Sequence, residues 1–374
     1  MSGTPLRIIL LVTNDICQDQ RMDRIASSLC DMGLDVELVG RQKKNSLPLK
    51  NRRYKTRRLK LPFHKGILFY LSYNLAAFYH LWTNKPDLVY AVDLDSLLAA
   101  RAIKQLRPGT RLIFDAHEHF AEVPELKNSP LKKKIWEALG KWSIPHVDLC
   151  LTVGPALAEI FSAKYNRPFH AVRNTPLINH SSNKDYQPEK KVLLYQGMLN
   201  EGRGLEIAVD AMEELQDWTL WLVGSGDIMQ SLQTRARKST ASGRIVFFGF
   251  VAPEALPTYT RKATIGLNLL VADSLSYYYS LANKTFDYMA YGVPAIHMNF
   301  PEYRDIQEKY HCFLLLDKLE KHSLVNLLRQ TDSAQLLRLH QNNLEASQFF
   351  QWPLESEKLK KLIQALLTEI QQWS

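Results

Sequence analysis

Long apolar runs are scarce in this chain of 374 residues. The longest one near its start, Ile8 to Val12, is too short for the apolar core of a signal peptide and far too short to span a bilayer. Cysteine is scarce as well, and the cysteines lack the C-x-x-C spacing that zinc sites and redox dithiols use. They are Cys17, Cys30, Cys150 and Cys312. We therefore expect a cytoplasmic protein with reduced, structural thiols.

Acidic residues are missing from one long segment, 38–86, which is called the acid-free segment below. It holds twelve Lys and Arg residues, whereas the rest of the chain has a net charge of −3 within a total of +9. A basic surface confined to one region predicts an anionic partner. Because the segment has no recognition motif with interleaved stacking aromatics, we expect no nucleic acid. An anionic membrane surface, a soluble anionic glycan and a merely solvated basic loop stay open.

An apolar stretch within this segment, Gly66 to Trp82, is rich in aromatic residues. It is too short to span a bilayer, and it contains Ser72, Asn74 and His80. Two compatible interpretations stay open. The stretch is a buried helix of the first domain, or it is an interfacial helix whose aromatic face meets lipid beside the basic residues.

The chain is long enough for two hydrophobic cores, because one core rarely organises more than about 300 residues. Its 46% apolar and 23% charged residues are ordinary for a globular protein. A strand over Leu6 to Thr13, a helix over 21–32 and a strand over Val36 to Val39 predict a β-α-β unit of a parallel sheet. A second such unit begins at Val192 to Gln196, after a polar segment, 177–191, with the composition of a linker.

The loop before the first helix carries Asp19 and Arg21, with Arg24 one helical turn later. These charged residues either contribute to a site at the strand end or have a purely structural role. In the structural interpretation Asp19 caps the helix and Arg21 faces solvent.

Polar residues follow two predicted strands of the first domain, Leu88 to Val92 and Arg111 to Phe114. They are Asp93, Asp95, Asp115, His117 and Glu118. Ligands of open α/β sheets bind beyond the carboxyl ends of the strands, so we expect these residues to line a cleft. His117 is either a group that positions a sugar or handles a proton, or a hydrogen-bonded residue that shapes its loop.

Glycine-rich turns follow the first strands of the second domain. Gly197, Gly202 and Gly204 would let the backbone approach a ligand closely, and Arg203 would donate hydrogen bonds to a phosphate. Many tight β-α turns have similar sequences, so these glycines also fit a structural turn. Further candidate residues follow the next two strands: Gly224, Gly226, Phe250 and Val251.

The stretch from Ser280 to Ile296 reads S-L-A-N-K-T-F-D-Y-M-A-Y-G-V-P-A-I. Its apolar spacing predicts a helix, a turn at G-V-P and a short strand. The unpaired N–H groups and the positive end of the helix dipole would hold a diphosphate beside Asn283 and Lys284, and Asp287 would reach the hydroxyls of a ribose. An ordinary amphipathic helix capped by Ser280 or Asn283 explains the same residues.

These motifs resemble, in order and over nearly the whole chain, those of the retaining two-domain glycosyltransferases of glycosyltransferase family 4. S-L-x-N-K-x-F-[DE]-Y-M-x-x-G-x-P is similar to the nucleotide-binding signature of that family. The loops at Asp93, Asp115 and Gly197 are similar to its H-D-L-D-S, Y-D-x-H-E and G-x-L-x-x-x-[KR]-G segments. Three positions depart from the family pattern, with Val92 in place of a histidine, Met198 in place of a basic residue and Tyr279 in place of a carboxylate.

The resemblance implies an α/β protein with the GT-B fold, in which two Rossmann-like domains face each other across a cleft. An N-terminal domain on the acceptor side would span 1–175, and a nucleotide-sugar-binding domain would span 192–352. A linker over 176–191 would join them. A C-terminal helix over 353–374 would cross back and pack on the first domain.

The resemblance also implies roles for the candidate residues. His117, Asp93 and Arg203 would be catalytic. The residues that would bind the donor are Gly197, Arg203, Gly224, Gly226, Phe250, Val251, Asn283, Lys284 and Asp287. We expect neither a metal nor a cofactor, because the sequence has no obvious metal-ligand cluster, and cationic side chains and helix N–H groups would stabilise the departing diphosphate.

We therefore expect a metal-independent glycosyltransferase that moves a hexose from a nucleotide sugar, such as a UDP- or GDP-sugar, to a hydroxyl group. The acceptor would be a glycan or a lipid-linked molecule in cell-surface glycan synthesis, and the anomeric configuration would be retained. The acid-free segment would make a peripheral contact with the inner face of the cell membrane. A nucleotide-sugar epimerase or hydrolase of the same fold and a catalytically degenerate partner subunit stay open as alternatives.

Overall fold

The computed structural model describes residues 5–17, 19–118, 129–177 and 186–373, with side chains up to 368. The chain forms two compact units. The first unit comprises Met1–Asn174 together with Pro353–Ser374, and the second comprises Thr175–Trp352. Each unit is built on one parallel sheet, so the expectation of two Rossmann-like α/β domains is confirmed.

The sheet of the first unit has seven strands in the order β3-β2-β1-β4-β5-β6-β7. The strands are β1 (Arg7–Leu11), β2 (Asp35–Arg41), β3 (Lys55–Leu59), β4 (Leu88–Val92), β5 (Arg111–Ala116), β6 (Leu149–Thr152) and β7 (Phe169–Ala171). The helices between them are α1 (Gln20–Asp31), α2 (Gly66–Asn84), α3 (Asp93–Leu106), α4 (Pro130–Ser143) and α5 (Pro155–Tyr165).

The central strands of this sheet are apolar because helices cover both of its faces. Every residue of β4 is buried, as are four of the five residues of β1. Neighbouring strands run parallel, and Leu10 lies opposite Leu38 of β2 on one side and Tyr90 of β4 on the other. The carboxyl ends of β4 and β5 therefore lie side by side, which brings the loops at Asp93 and Asp115 together.

Helix α1 begins at the charged loop, and Asp19 is its N-cap. The Asp19 carboxylate accepts a hydrogen bond from the Met22 N–H at 3.0 Å. The structural interpretation of Asp19 is therefore confirmed. Its second half is wrong, because Arg21 is buried rather than exposed to solvent.

The edge strand β3 lies inside the acid-free segment, and the sequence did not predict it. Its residues K-T-R-R-L have no apolar alternation. Basic side chains of β3 instead pair with carboxylates of β2, with Lys55 2.9 Å from Asp35 and Arg57 3.2 Å from Glu37. Much of the positive charge near this edge is therefore neutralised within the unit.

Helix α2 contains the predicted helix over 66–82 and extends to Asn84. One side of α2 is buried, including Phe69 and Tyr73. Asn74 fastens α2 to α3, because its amide donates to the Asp95 carbonyl at 2.8 Å and its oxygen accepts from the Ala99 N–H at 3.0 Å. The interpretation of this stretch as a packed helix of the first domain is confirmed for that side.

The last helix, α14 (Trp352–Trp373), packs with the first unit from residue 353 onward. Leu359 and Ile363 are completely buried one turn apart. The Ser356 hydroxyl donates to the Ser28 hydroxyl at 2.7 Å, and the Glu355 carboxylate accepts from the Arg173 N–H at 3.0 Å.

The sheet of the second unit has six strands in the order β10-β9-β8-β11-β12-β13. The strands are β8 (Val192–Gln196), β9 (Thr219–Val223), β10 (Ile245–Gly249), β11 (Ile265–Asn268), β12 (Ala295–Met298) and β13 (Phe313–Leu316). The helices are α6 (Leu205–Ala211), α7 (Met229–Lys238), α8 (Leu256–Thr260), α9 (Leu275–Tyr278), α10 (Asn283–Ala290), α11 (Pro301–Tyr310), α12 (Lys321–Gln330) and α13 (Ser333–Ser347).

Helix α10 is the predicted helix of the 280–296 stretch. Phe286 and Met289 are buried in the core of the second unit, as the apolar spacing predicts. Its N-cap is Ala282, which has no side-chain hydrogen bond, so the predicted capping by Ser280 or Asn283 is wrong. No helix of the described ranges is both long and apolar enough to cross a membrane.

Candidate functional site

The polar residues of the first unit meet at the carboxyl ends of β4 and β5. Asp93 and Asp95 lie in the first turn of α3, Asp115 lies near the end of β5, and His117 follows β5 directly. The His117 N–H donates to the Asp93 carboxylate at 2.8 Å. The two predicted catalytic residues of this unit are therefore in direct contact.

Asp115 is the buried anchor of this cluster. Arg21 forms a buried ion pair with it at 2.9 Å, and the Tyr90 hydroxyl donates to it at 2.8 Å. Burial opposes the charged carboxylate, but the neighbouring guanidinium and imidazole outweigh it and hold the pKa of Asp115 well below its ordinary value. Asp115 is therefore a fixed anion, suited to holding other groups in place and unsuited to accepting a proton.

His117 lies against this ion pair and remains partly accessible. Its Nε2 is 3.0 Å from the Asp115 carboxylate and 2.9 Å from Nε of Arg21. Burial favours the neutral ring, but the carboxylate of Asp115 overrides it and raises the pKa of His117. The buried carboxylate therefore orients the imidazole and favours its protonated form, whereas Arg21, which donates to the same Nε2, opposes protonation; a ring held in this way can position a sugar or handle a proton.

The two carboxyl groups of α3 are also shifted. Burial raises the pKa of Asp93 to about 8 and that of Asp95 to about 7, so both groups exchange protons near neutral pH. Asp95 accepts a hydrogen bond from the Thr13 hydroxyl at 2.5 Å. The backbone of Asp93 has φ of +56°, in the left-handed region that non-glycine residues rarely occupy. Strained residues of this kind are common at functional sites.

The sequence did not predict Tyr90 as a member of this cluster, and it left the role of Arg21 open. Tyr90 lies in the middle of an apolar strand, and nothing in its sequence context shows that its hydroxyl reaches a carboxylate in the next strand. Arg21 was an open candidate, and its role in the cluster is visible only once β5 is placed beside β4. Glu118 is exposed at the end of the cluster, and the residues after it lie outside the described ranges.

In the second unit, glycines allow the ends of three strands to approach closely. Gly224 follows β9 with φ of +142°, and its N–H donates to the Gly249 carbonyl at 2.8 Å. A Cβ atom at Gly224 would lie 1.8 Å from the Gly197 carbonyl oxygen. Gly226 is similarly restricted, since a Cβ there would lie 2.4 Å from the Leu199 carbonyl oxygen. These positions therefore require glycine for packing.

The loop after β8 places Arg203 beside an aromatic ring. Gly204 is the N-cap of α6 with φ of +66°, and a Cβ at Gly202 would lie 2.6 Å from the Tyr277 ring. The Arg203 guanidinium lies over that ring, 4.8 Å from its centroid. The glycines thus bring the loop onto Tyr277, which holds Arg203 in a defined orientation.

Lys284, in the first turn of α10, is the other cation of this site. Only 8% of it is exposed, and its amine lies 3.8 Å from the centroid of the Tyr195 ring. A Cβ at Gly197 would lie 3.5 Å from its Cε, so the lysine lies directly beside the end of β8. Burial, reinforced by the positive charge of Arg203 and partly offset by Asp287, lowers the pKa of Lys284 well below its ordinary value.

Asp287 lies one turn after Lys284 and is oriented by side chains from other elements. The Gln196 amide donates to its carboxylate at 3.1 Å, and the Thr260 hydroxyl donates to the Gln196 oxygen at 2.8 Å. The structure therefore brings Gly197, Lys284 and Asp287 together at the end of β8. The sequence missed Tyr195, Gln196 and Thr260, because neither a fully buried strand such as β8 nor a short helix such as α8 shows in its own sequence which distant side chain its residues meet.

The remaining predicted donor residues lie at the edges of this region. Phe250 and Val251 follow β10 directly, and Phe250 is exposed. Asn283 is exposed at the start of α10. Arg203 belongs to the second unit, whereas His117 and Asp93 belong to the first.

The three departures from the family pattern have distinct environments. Val92 is buried at the end of β4. Met198 is exposed, and its carbonyl accepts from the Tyr195 hydroxyl at 2.6 Å. Tyr279 follows α9, and its ring packs edge-on against Tyr278 with centroids 4.9 Å apart. Across the part of the chain that the structure describes, no group of three or more His, Cys, Asp or Glu side chains could hold a metal ion.

Comparison with protein families gives two matches that together cover well over half of the chain. Residues 18–177 match a family described as "Glycosyl transferase 4-like domain", and residues 190–330 match "Glycosyl transferases group 1". A comparison with curated proteins gave no significant match.

Solved structures with a similar fold cover nearly the whole chain. Sucrose-phosphate synthase from Thermosynechococcus elongatus superposes with a TM-score of 0.80 at 16% identity, covering 97% of this chain and 100% of that one. HepE of Anabaena, in complex with UDP and glucose, gives 0.77 at 14% identity, with 96% and 99% covered. WaaG, a glycosyltransferase of lipopolysaccharide biosynthesis, gives 0.71 at 13% identity, with 94% and 98% covered. The chain has the GT-B fold and belongs to the glycosyltransferases, with a glycosyl transferase 4-like first domain and a second domain of the glycosyl transferases group 1 family.

Proposed function

We propose that this glycosyltransferase moves a hexose from a UDP- or GDP-sugar to an acceptor hydroxyl with retention of configuration, in the synthesis of a cell-surface glycan or glycolipid. The observation that carries the proposal is the pair of cations at the end of β8. Lys284 and Arg203 lie beside the glycine turn, and Lys284 is buried. A diphosphate would compensate both charges, whereas a neutral ligand would leave them uncompensated.

The nucleoside part of the donor would extend from the diphosphate in two directions. Asp287 would accept hydrogen bonds from ribose hydroxyls, because Gln196 already holds its carboxylate in place. The nucleobase would lie against the backbone of Phe250 and Val251. Structures of HepE with UDP and with UDP-glucose support a nucleotide-sugar donor for a protein of this fold.

The first unit would serve the acceptor. His117 would position the transferred sugar or donate a proton, and Asp115 would keep its ring oriented. Asp93, with a pKa of about 8, would exchange a proton with a hydroxyl group near neutral pH. The leaving diphosphate would be stabilised by Arg203 and Lys284 without a metal ion.

The acceptor would be lipid-linked, and the enzyme would then work at the inner face of the cell membrane as a peripheral protein. The acid-free segment supports this step through its composition of twelve basic residues and no acidic one, although several of these residues pair with carboxylates elsewhere in the first unit.

A catalytically degenerate partner subunit is the second candidate function. Val92, Met198 and Tyr279, at positions where the family has a histidine, a basic residue and a carboxylate, favour it. Thermal shift and calorimetry with a panel of nucleotide sugars test the binding step of the proposal, and turnover separates the two candidates. An active transferase should bind one nucleoside diphosphate and the corresponding nucleotide sugar with micromolar dissociation constants. NMR of the product should show that the transferred sugar keeps the anomeric configuration it had in the donor. Absence of binding across the panel would contradict the proposal.

A further inference from the structure

We propose that the outer surface of α2 and α4 is a docking site for an anionic lipid bilayer. This surface, called the α2–α4 face below, lies on the first unit and is separate from the cluster at Asp115. The proposal identifies where the membrane contact is made. It rests on the proposed function only for the view that a lipid-linked acceptor is presented there.

Helix α2 exposes an apolar stripe along its whole length. The stripe residues are Ile67, Leu68, Leu71, Leu75, Tyr79 and Trp82, which are 44 to 70% exposed. At 100° per residue they occupy about a third of the helix circumference, opposite the side that packs on the unit. None of the nineteen residues of α2 is Asp, Glu, Lys or Arg. An unbroken apolar stripe of this size is unusual on a surface that only water covers.

Helix α4 continues this surface with a second exposed stripe. Leu131, Ile135 and Trp142 recur at helical spacing and are 45 to 72% exposed. The two helices are joined directly, because the rings of Tyr70 and Trp136 meet edge to face with centroids 5.0 Å apart. Helix α3 packs against both α2 and α4.

The charges beside the stripes are positive. On α4 the exposed residues Lys132, Lys134 and Lys141 flank the apolar stripe on its two sides. Their aliphatic stems can lie along apolar surface while the amines reach outward to phosphates. An interfacial helix has this arrangement, with an apolar stripe bordered by lysines. The headgroup layer of an anionic bilayer presents negative charge on both sides of the stripe at once, whereas a protein partner would need two acidic patches placed to match the lysines.

The arginines of the acid-free segment are less suited to this role than their number suggests. Arg53 is paired with Asp31 at 2.8 Å, Arg57 with Glu37 at 3.2 Å and Arg58 with Asp15 at 3.2 Å. Their charges are already compensated inside the unit. The expected membrane contact therefore moves from these arginines to the apolar stripe of α2 and the lysines of α4.

Vesicle co-sedimentation tests the proposal on the intact protein. The wild type should pellet at low salt with phosphatidylcholine vesicles that contain phosphatidylglycerol, and should stay in solution with phosphatidylcholine alone. The double substitution Leu71→Ser and Leu75→Ser should weaken binding about tenfold or more, because the leucines would no longer be buried in lipid. Both residues are exposed, so the fold should tolerate the change. The matched control is Leu337→Ser with Leu354→Ser, two leucines outside the face that are 45% and 49% exposed, against 51% and 62% for Leu71 and Leu75.

The electrostatic part is tested separately. Changing Lys132, Lys134 and Lys141 to Ser should weaken binding about fivefold per lysine, equivalent to about 1 kcal/mol each, and should reduce its salt dependence. The matched control changes Lys238, Lys262 and Lys318, which are exposed on the second unit. Equal losses in variants and controls would overturn the proposal.

Two further outcomes are decisive. Wild-type protein that stays in the supernatant with anionic vesicles at low salt would overturn the proposal. Sedimentation velocity gives the second decisive outcome. If the wild type self-associates, and Leu71→Ser with Leu75→Ser abolishes this association without changing vesicle binding, the face binds a second copy of the chain and the proposal is overturned. Nucleotide-sugar affinity is measured on the same preparations. In the wild type, absent vesicle binding with intact donor binding counts against the face alone, whereas vesicle binding without donor binding counts against the proposed function alone.

Discussion

Replacing Lys284 with Met should weaken donor binding and at the same time stabilise the free protein. Methionine keeps an unbranched apolar stem against the Tyr195 ring and removes the amine. A charge-assisted contact to phosphate contributes about 1.5 to 3 kcal/mol, so the affinity for the nucleotide sugar should fall about ten- to a hundredfold. Isothermal titration calorimetry with the nucleotide sugar measures this loss.

The stability effect has the opposite sign because the amine is buried. Desolvation of a buried ammonium costs several kcal/mol, whereas its contact with an aromatic ring returns about 0.5 to 2 kcal/mol. The desolvation cost is the larger of the two, so Lys284→Met should raise the melting temperature at neutral pH. The exposed residue Lys262 provides the control, since Lys262→Met should change neither affinity nor melting temperature by much.

The pH dependence follows from the lowered pKa of Lys284. In the unfolded chain this lysine binds a proton up to about pH 10, whereas in the folded protein it releases the proton at lower pH. The free energy of unfolding therefore rises with pH between the folded and unfolded pKa values, and the advantage of the Met variant shrinks across that window. A Lys284→Met protein that binds the donor like the wild type, or that melts at lower temperature at neutral pH, would refute this reasoning.

The other predictions concern the second cation, the metal and the buried ion pair. Arg203→Ala should weaken nucleotide affinity about ten- to a hundredfold by calorimetry, whereas Arg237→Ala, at an exposed position, should not, and equal affinities would contradict the assignment. Turnover should survive EDTA, and activity lost to EDTA and restored by manganese would contradict metal-independent departure of the diphosphate. Asp115→Asn should lower the free energy of unfolding by about 3 to 5 kcal/mol in denaturant titrations, because Arg21 would stay buried without its carboxylate, whereas Tyr90→Phe should cost about 1 kcal/mol. This cost should begin to shrink as the pH falls below the ordinary pKa of an aspartate, because the carboxyl group is then protonated in the unfolded chain while the folded protein still keeps it charged. It should vanish only as the pH falls through the lowered pKa of the folded protein.

Much of the fold could be predicted because it depends on local pattern. The run Leu88 to Val92 is apolar throughout, as a strand covered on both faces must be, and the structure buries all five residues. The tight turns at Gly197 and Gly224, which follow β8 and β9, could also be predicted. Two backbone segments can approach each other this closely only where Cβ atoms are absent. Once the strands are parallel and adjacent in space, the polar residues after them must share one edge.

The parts that could not be predicted depend on partners distant in the chain. Strand β3 has the sequence of a basic loop, and it forms a strand by pairing with β2, whose carboxylates also pair with its basic side chains. Helix α4 was not predicted from the sequence, because its apolar residues face outward and its lysines resemble those of a solvated surface. The burial of Lys284 is likewise invisible in the sequence, because it results from the Tyr195 ring and the end of β8 lying beside the first turn of α10.

Turnover of a nucleotide sugar is the most direct test of the central claim. The purified protein is incubated in EDTA with the nucleotide sugar that it binds best, with and without a lipid extract as acceptor, and released nucleoside diphosphate and glycosylated lipid are measured by mass spectrometry. We predict acceptor-dependent release in equal amounts with the glycosylated product, and strongly reduced release by Lys284→Met. Release without acceptor would indicate a hydrolase, an isomerised donor would indicate an epimerase, and tight donor binding without any turnover would contradict the transferase and favour a degenerate partner subunit.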